Sequence, residues 1–276
     1  MEWMKRRGVQ LASVIGLTLL VVWAYGREAA PSVHDIVSRS AEAVRTDWEK
    51  APGFDFCRTE HTKDGTRTYQ VMMIAGSPYN RLVAINGNDL SPAEDEDEAR
   101  KFQAAVEHRK AETPQEQQQR IAQYQKERRR DQSLLEQMTD AMEYTMAGTQ
   151  QIGPYSTYLL EAHPRPGYTP KSKEATVFTG MRGKLWIDQT SFRWVKVEAE
   201  VVHPVMIEGF LARVEPGTRF QLEELPVDKE TWLASHFSMI FHAKVLLLFE
   251  KSSQADETYF HYTANGSLSP DSCRQP

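Results

Sequence analysis

Cysteine is scarce in this chain. Cys57 and Cys273 are the only two in 276 residues. Their separation fits no zinc or redox motif, and no C-x-x-C pair exists. Cationic excess is missing as well: the formal net charge is −5, which argues against the basic face that nucleic-acid binding needs. Recognised catalytic signatures are also absent. There is no G-x-S-x-G elbow, no H-E-x-x-H helix, no P-loop and no G-x-G-x-x-G turn. The eight histidines are scattered. His236 and His242 share an even spacing, but without an acid or thiol in a ligand pattern a surface or packing role suits them. Asp188 closes a short apolar run just before a polar turn, where an aspartate bonds local backbone. The chain is therefore read as non-enzymatic, with no metal and no cofactor.

What is present begins with an export signal. Lys5-Arg6-Arg7 precedes an uncharged apolar run, Val9 to Trp23, and Ala24-Tyr25-Gly26 offers small residues at the positions a signal peptidase reads. Residues 1–26 are read as a cleaved signal peptide. The alternative is an uncleaved inner-membrane anchor, since Gly8 to Tyr25 nearly spans a bilayer. Removing residues 1–26, three cations and Glu2, takes the chain from −5 to −7. In an exported protein Cys57 and Cys273 either form a disulfide or remain two unpaired thiols, one of them in the tail.

The clearest local pattern is the hairpin Met181 to Val202. Lys184 to Asp188 is a strand, Gln189-Thr190-Ser191 a turn, and the second strand places Val195, Val197, Ala199 and Val201 at period two. Its other face carries Trp194, Lys196, Glu198 and Glu200. Ahead of it, Pro31 to Lys50 follows helical spacing, with Val33, Ile36, Val37, Val44 and Trp48 on one side. Phe54–Thr62, Thr66–Ala75 and Tyr79–Ile85 then read as a meander joined by Lys63-Asp64-Gly65 and Gly76-Ser77-Pro78.

Ser91 to Ala147 interrupts the strands as a helical insertion. Ser91-Pro92 starts one helix and Thr113-Pro114, with Glu116 in a capping box, starts another, while Gly148 suits the C′ position. Gln115 to Asp131 is nearly all polar and is expected to project into solvent. Leu134, Leu135, Met138, Ala141, Met142 and Met146 form an apolar stripe expected to lie on the sheet. Arg128-Arg129-Arg130 fits either a solvated face or an anionic patch, the former being the ordinary reading. Strands resume with Tyr155–His163. The stiff loop His163 to Pro170 follows, then the hairpin, Phe210–Val214, Thr218–Leu222, a strand from Trp232, Ser238–Glu250 and Thr258–Thr263.

These elements predict an α+β fold: a large curved antiparallel sheet of roughly ten or eleven strands, with helices on its concave face. The domain is placed at 32–264, with insertion 91–147 and tail 265–276. Asn265-Gly266-Ser267 matches a glycosylation sequon and is equally an ordinary turn.

Gly183-Lys184-Leu185-Trp186-Ile187-Asp188, a polar turn, and Trp194-Val195-Lys196-Val197-Glu198 resemble the central hairpin of LolA-like exported bacterial proteins. These include outer-membrane lipoprotein-sorting carriers and envelope-stress sensors. Pro164 to Pro170 and Glu215-Pro216-Gly217-Thr218 are similar to a lipoprotein-sorting-like branch. The resemblance follows the order of elements from Val33 to Thr263, and residue detail only in the hairpin and these loops. It implies a half-open β-barrel whose apolar cavity accepts acyl chains. The insertion is longer than in the carriers, and their acyl-chain residues and lid arginine align to no position here. The expected ligand is a lipid or the acyl chains of a lipidated protein, in a periplasmic carrier. The groove would be lined by Val195, Val197 and Val201 of the sheet and Leu135, Met138, Met142 and Met146 of the helix. The alternative is an envelope sensor or interaction module with a protein partner.

Overall fold

The computed structural model describes residues 30–207, 212–245 and 249–274. The expected signal peptide lies outside them, as do Phe210 and Leu211 of one expected strand. The chain opens with helix α1 (Val33–Lys50), ended by the 3-10 turn Ala51–Gly53 around Pro52. Strands β1 (Phe54–Thr62), β2 (Gly65–Ile74), β3 (Ser77–Ile85) and β4 (Asn88–Asp89) follow as a meander. Helices α2 (Pro92–Ala111) and α3 (Pro114–Ala141) come next. Both carry complete capping boxes, Ser91 with Glu94 and Thr113 with Glu116. Strands β5 (Met142–Ile152) and β6 (Tyr155–Pro164) lead through a 3-10 segment (Glu174–Gly180) to β7 (Met181–Asp188) and β8 (Trp194–Val201). The remainder is β9 (Val205–Ile207), β10 (Ala212–Val214), β11 (Arg219–Pro226), β12 (Trp232–Val245) and β13 (Phe249–Ala264).

The strands form one antiparallel sheet in the order β4-β3-β2-β1-β13-β12-β11-β8-β7-β6-β5, with β10 on the far end of β12 and β9 on β10. That makes 13 strands among the described residues, against the ten or eleven expected. The two end strands, β4 and β5, do not pair, so the sheet stays open. The architecture is α+β.

Curvature follows from what the helices touch. Helix α1 packs on both β5 and β12, which have four strands between them. Helix α3 meets the β2–β3 turn near one edge, where Ile121 rests against Gly76, and runs directly into β5 at the other edge. The helix from Ile121 to Ala141 is about 30 Å long. The flat distance from β3 to β5, nine strand spacings, is about 43 Å. The sheet is therefore curled, and α3 crosses its open mouth. Gly76 has φ +89°, and a Cβ there would stand 2.9 Å from Ile121 Cδ1, so both its conformation and its contact call for glycine.

The core lies between the concave face and α1, the C-terminal part of α3 and the 3-10 segment. It joins Ile36, Leu160, Phe178, Leu185, Ile187, Trp194, Val197 and Val201, with Leu134, Leu135 and Met138 packed against it.

Three sequence expectations are corrected. Helix α3 ends at Ala141, and Met142 and Met146 lie on β5. Met142, Tyr144 and Met146 alternate there at period two, opposite Pro164, Ala162 and Leu160 of β6. Gly148 sits at the β-bulge of this pair with φ +133°, not at a helix C-terminus. Next, Gln115–Asp131 does not project freely. Arg120 donates to the Ala75 carbonyl and to Ser77 Oγ, and Arg128 donates to the Trp48 carbonyl while stacking over the Trp48 and Tyr124 rings. Third, a bulge between Trp186/Ile187 and β8 leaves Val195 as the extra residue. Trp194 then faces the core with Ile187, while Val195 joins Trp186 and Trp232 in a separate cluster. Of the two alternatives for the cysteines, the structure holds the bonded one, which ties the tail to β1. A disulfide joins Cys57 to Cys273, and Leu268 and Val83 are buried around it.

Candidate ligand-binding face

The concave face has two unlike halves. Over β5–β8 it is sealed. Met142, Val197 and Val201 are almost fully buried, and Leu135 and Met138 pack on them. The gap between α1, α3 and this wall, lined by Val44, Trp48, Leu135 and Trp194, holds only about 40 Å³. An apolar cavity of about 150 Å³ is needed for a benzene-sized guest, so no acyl chain fits there in this conformation. Of the expected lining residues, Leu135, Met138, Met142, Val197 and Val201 are thus gathered into one core. Met146 is exposed on the edge strand β5, and Val195 lies on the other face.

The other half, over β11–β13 and β1, is only half covered. Strand β12 alternates Phe237, Met239 and Phe241 toward the helices, opposite Leu222 and Phe220 of β11, and all five are partly exposed. Phe56, Tyr259 and Tyr262 continue this surface as a ring cluster, with centroids 5.1 Å apart for Phe56–Tyr262 and 5.9 Å for Phe56–Tyr259. Arg58, paired with Glu60 at 2.6 Å, and Tyr259, donating to Glu257, border it with polar groups.

A buried ionic cluster anchors the C-terminal end of α1 beside this surface. Arg193, just before β8, holds Asp47 through Nε–Oδ2 at 2.6 Å and Nη2–Oδ1 at 3.1 Å, and also donates to the Glu230 carbonyl. The Glu224 carboxyl is near enough to feel both charges. Burial first, and the Asp47 charge second, push its pKa up to about 8, against the opposing pull of Arg193. Tyr262 donates to the Ala234 carbonyl at 2.8 Å, and burial raises its pKa well above the ordinary value. No group of acids, histidines and cysteines able to hold a metal occurs among the described residues.

On the face away from α1, next to the Trp186–Val195–Trp232 cluster, the sheet is polar. A groove of about 850 Å³ crosses β6 to β13 there. Its floor is a cross-strand row, Glu161–Lys184–Glu198–Gln221–Ser238–Asp256, each residue opposite the next. A second row runs beside it with Arg182, Glu200 and Arg219, of which Arg182 and Glu200 bond at 2.6 Å. His236 pairs with Asp256 at 3.0 Å and His242 is exposed, while Asp188 caps its turn by accepting from the Thr190 and Ser191 amides.

The Phe237-Met239-Phe241 row was missed in the sequence, although its period-two spacing marks it. The Asp47–Arg193–Glu224 cluster left no such mark, because its members are far apart in the chain.

No family model matches this chain, and no curated protein does. Three solved structures align along most of it. One is a domain described as an outer membrane lipoprotein-sorting protein from Vibrio parahaemolyticus, at 10% identity and TM-score 0.32, covering 85% of this chain and 96% of that one. Another is a DUF1329 family protein from Desulfovibrio piger, at 10% identity and TM-score 0.29, covering 84% and 95%. The third is a LolA superfamily protein from Nitrosomonas europaea, at 13% identity and TM-score 0.32, covering 88% and 98%. The chain is similar, at this distant level, to solved structures of the lipoprotein-sorting and LolA type.

Proposed function

We propose that this protein is a periplasmic, non-enzymatic binding protein that holds a lipid, or the acyl chains of a lipidated protein, on its concave face. The observation that carries this reading is the half-covered row Phe220, Leu222, Phe237, Met239 and Phe241 beside α1. A core would bury such side chains, and each methylene of a chain laid on them gains about 0.8 kcal/mol. In this reading Leu135, Met138, Val197 and Val201 form the adjoining wall, which longer cargo reaches only when α1 moves. The disulfide agrees with an oxidising compartment. Detergent-free purification and mass spectrometry of extracted lipid test the idea, together with uptake of a fluorescent fatty acid. Recovery of no lipid and no saturable uptake would sink it.

A second reading, a protein-interaction module of the cell envelope, is favoured by the polar groove on the opposite face. Deleting Gln115–Asp131 is a poor discriminator, because Arg120 and Arg128 tie that stretch to the fold. Arg219→Glu in the groove is better. Lost partner binding with lipid uptake intact supports the module.

A further inference from the structure

One cross-strand row on the helix-facing side of the sheet changes character along its length. It runs Arg67–Glu60–Glu257–Phe237–Leu222–Val197, each residue directly opposite the next on β2, β1, β13, β12, β11 and β8. Residues opposite one another share a face. Val197 belongs to the core, while Leu222 and Phe237 are partly exposed. Beyond Phe237 the same face turns ionic, with Glu257 one strand spacing, about 5 Å, from the ring's strand. The half-covered apolar surface therefore has a polar end, and the charge of that end selects what can lie there.

The charges at this end do not cancel. Arg58, on the same face of β1, holds Glu60 at 2.6 Å and lies over the Tyr69 ring. Glu257 accepts from the Tyr259 hydroxyl and forms no ion pair among the described residues. Tyr259 supplies no positive charge. Burial first, and the bond to Glu257 second, raise its pKa, so it stays a neutral donor. It feels both Glu257 and Glu60 against the single cation Arg58. Other charged groups do not repair the deficit. Asp47 and Arg193 hold each other, and the β1–β2 turn adds Lys63 and Asp64, one of each sign. Arg67 is exposed two strand spacings, about 10 Å, from Glu257. A partly buried carboxylate against an aromatic ring is costly without a counter-charge.

We infer that the cargo of this face is an amphiphile with an ammonium at the root of its apolar chain, the ammonium seated on Glu257 and the chain laid over Phe237 and Leu222. This rests on the reading of the concave face as a cargo site, and it narrows the class of cargo. An anionic fatty acid still binds through its chain, but less tightly than an amine of equal length.

The test uses the full chain at pH 7 and three ligands with one tail: decylammonium, decanol and decanoate. Each displaces N-phenyl-1-naphthylamine, a neutral fluorescent reporter of apolar sites. Decylammonium should displace it at a concentration roughly tenfold below that of decanoate, the size of one charge-assisted hydrogen bond, with decanol between them. Glu257→Gln keeps an acceptor for Tyr259. It should bring decylammonium level with decanol, leave decanol unchanged and improve decanoate. Unchanged decanol displacement also shows that the variant is folded. The net charge of −5 attracts any cation, but that attraction survives the loss of one carboxylate. An amine preference that persists in Glu257→Gln therefore overturns the proposal, and so does displacement by decanoate equal to that by decylammonium. If none of the three displaces the reporter, the cargo reading falls and this one with it; if all three do so equally, only this one falls.

Discussion

Replacing Glu224 by glutamine tests the buried cluster at the end of α1. The carboxyl titrates near 8 in the folded chain against its ordinary 4.5. The folded state therefore holds a proton that the unfolded state has released, and stability falls as pH rises between those values. Below pH 4.5 the group carries no penalty. At 1.36 kcal/mol per pKa unit, the loss reaches about 3 kcal/mol at pH 7 and about 5 kcal/mol above pH 8. Glu224→Gln keeps the shape and removes the titration. Subtracting its unfolding free energy from that of the wild type cancels every other titrating group. The difference should favour the variant increasingly from pH 5 to pH 8, by several kcal/mol. The assay is urea unfolding of the oxidised protein at a series of pH values, followed by fluorescence. Parallel profiles for the two proteins would show that Glu224 is ionised at neutral pH and refute the reasoning. Asp47→Asn should make this fall smaller and end it at a lower pH, because the Asp47 charge is one cause of the raised value. It should also lower overall stability by up to about 3–5 kcal/mol, since Arg193 loses a buried partner.

Phe237→Ser should reduce fatty-acid uptake roughly tenfold with little change in stability, whereas Val195→Ala, on the other face, should leave uptake unchanged in the same titration. Reducing the Cys57–Cys273 bond, which closes a separation of 216 residues, should lower unfolding stability by up to about 5 kcal/mol. It should also expose the tail after Ala264 to protease, as read by limited digestion. Arg128→Ala should lower the melting temperature by loosening α1 from α3, while Arg129→Ala and Arg130→Ala should not, because only Arg128 reaches the Trp48 carbonyl.

The hairpin Met181–Val201 was legible because one strand face is core and the other solvent, and period two records that division. Its flaw was a parity error. Alternation continues through Val195 in the sequence, but the bulge inserts one residue and sends Val195 to the far side, with Trp194 taking its place in the core. A bulge leaves no composition mark of its own, and a one-residue slip exchanges the faces. Met138, Met142 and Met146 show the opposite ambiguity. A spacing of four suits a helix, but it also suits every second residue on one face of a strand. Tyr144 and Thr145 lean toward strand, and pairing with Tyr155–Pro164 decides it. The polar half of α3 was misread because arginines that cap carbonyls look the same in sequence as arginines in water.

The insertion also takes on a different meaning once its ends are placed. It leaves the sheet at β4, one edge, and returns at β5, the other. A connection between edges must cross the mouth of the curled sheet, so α3 is part of what keeps that mouth from closing or spreading. The consequences differ between the two halves of the concave face. Over β7 and β8, displacing α1 would uncover Ile36, Leu185, Ile187 and Val197, all almost completely buried, at about 1.5–3 kcal/mol for each side chain. Over β11 and β12, Phe237, Met239 and Phe241 are already partly in water, so a ligand displaces water there without first breaking a core. In the proposed reading a binding surface and a rigid wall share one sheet, and the division between them runs along α1, whose C-terminal end is held by the Asp47–Arg193 ion pair.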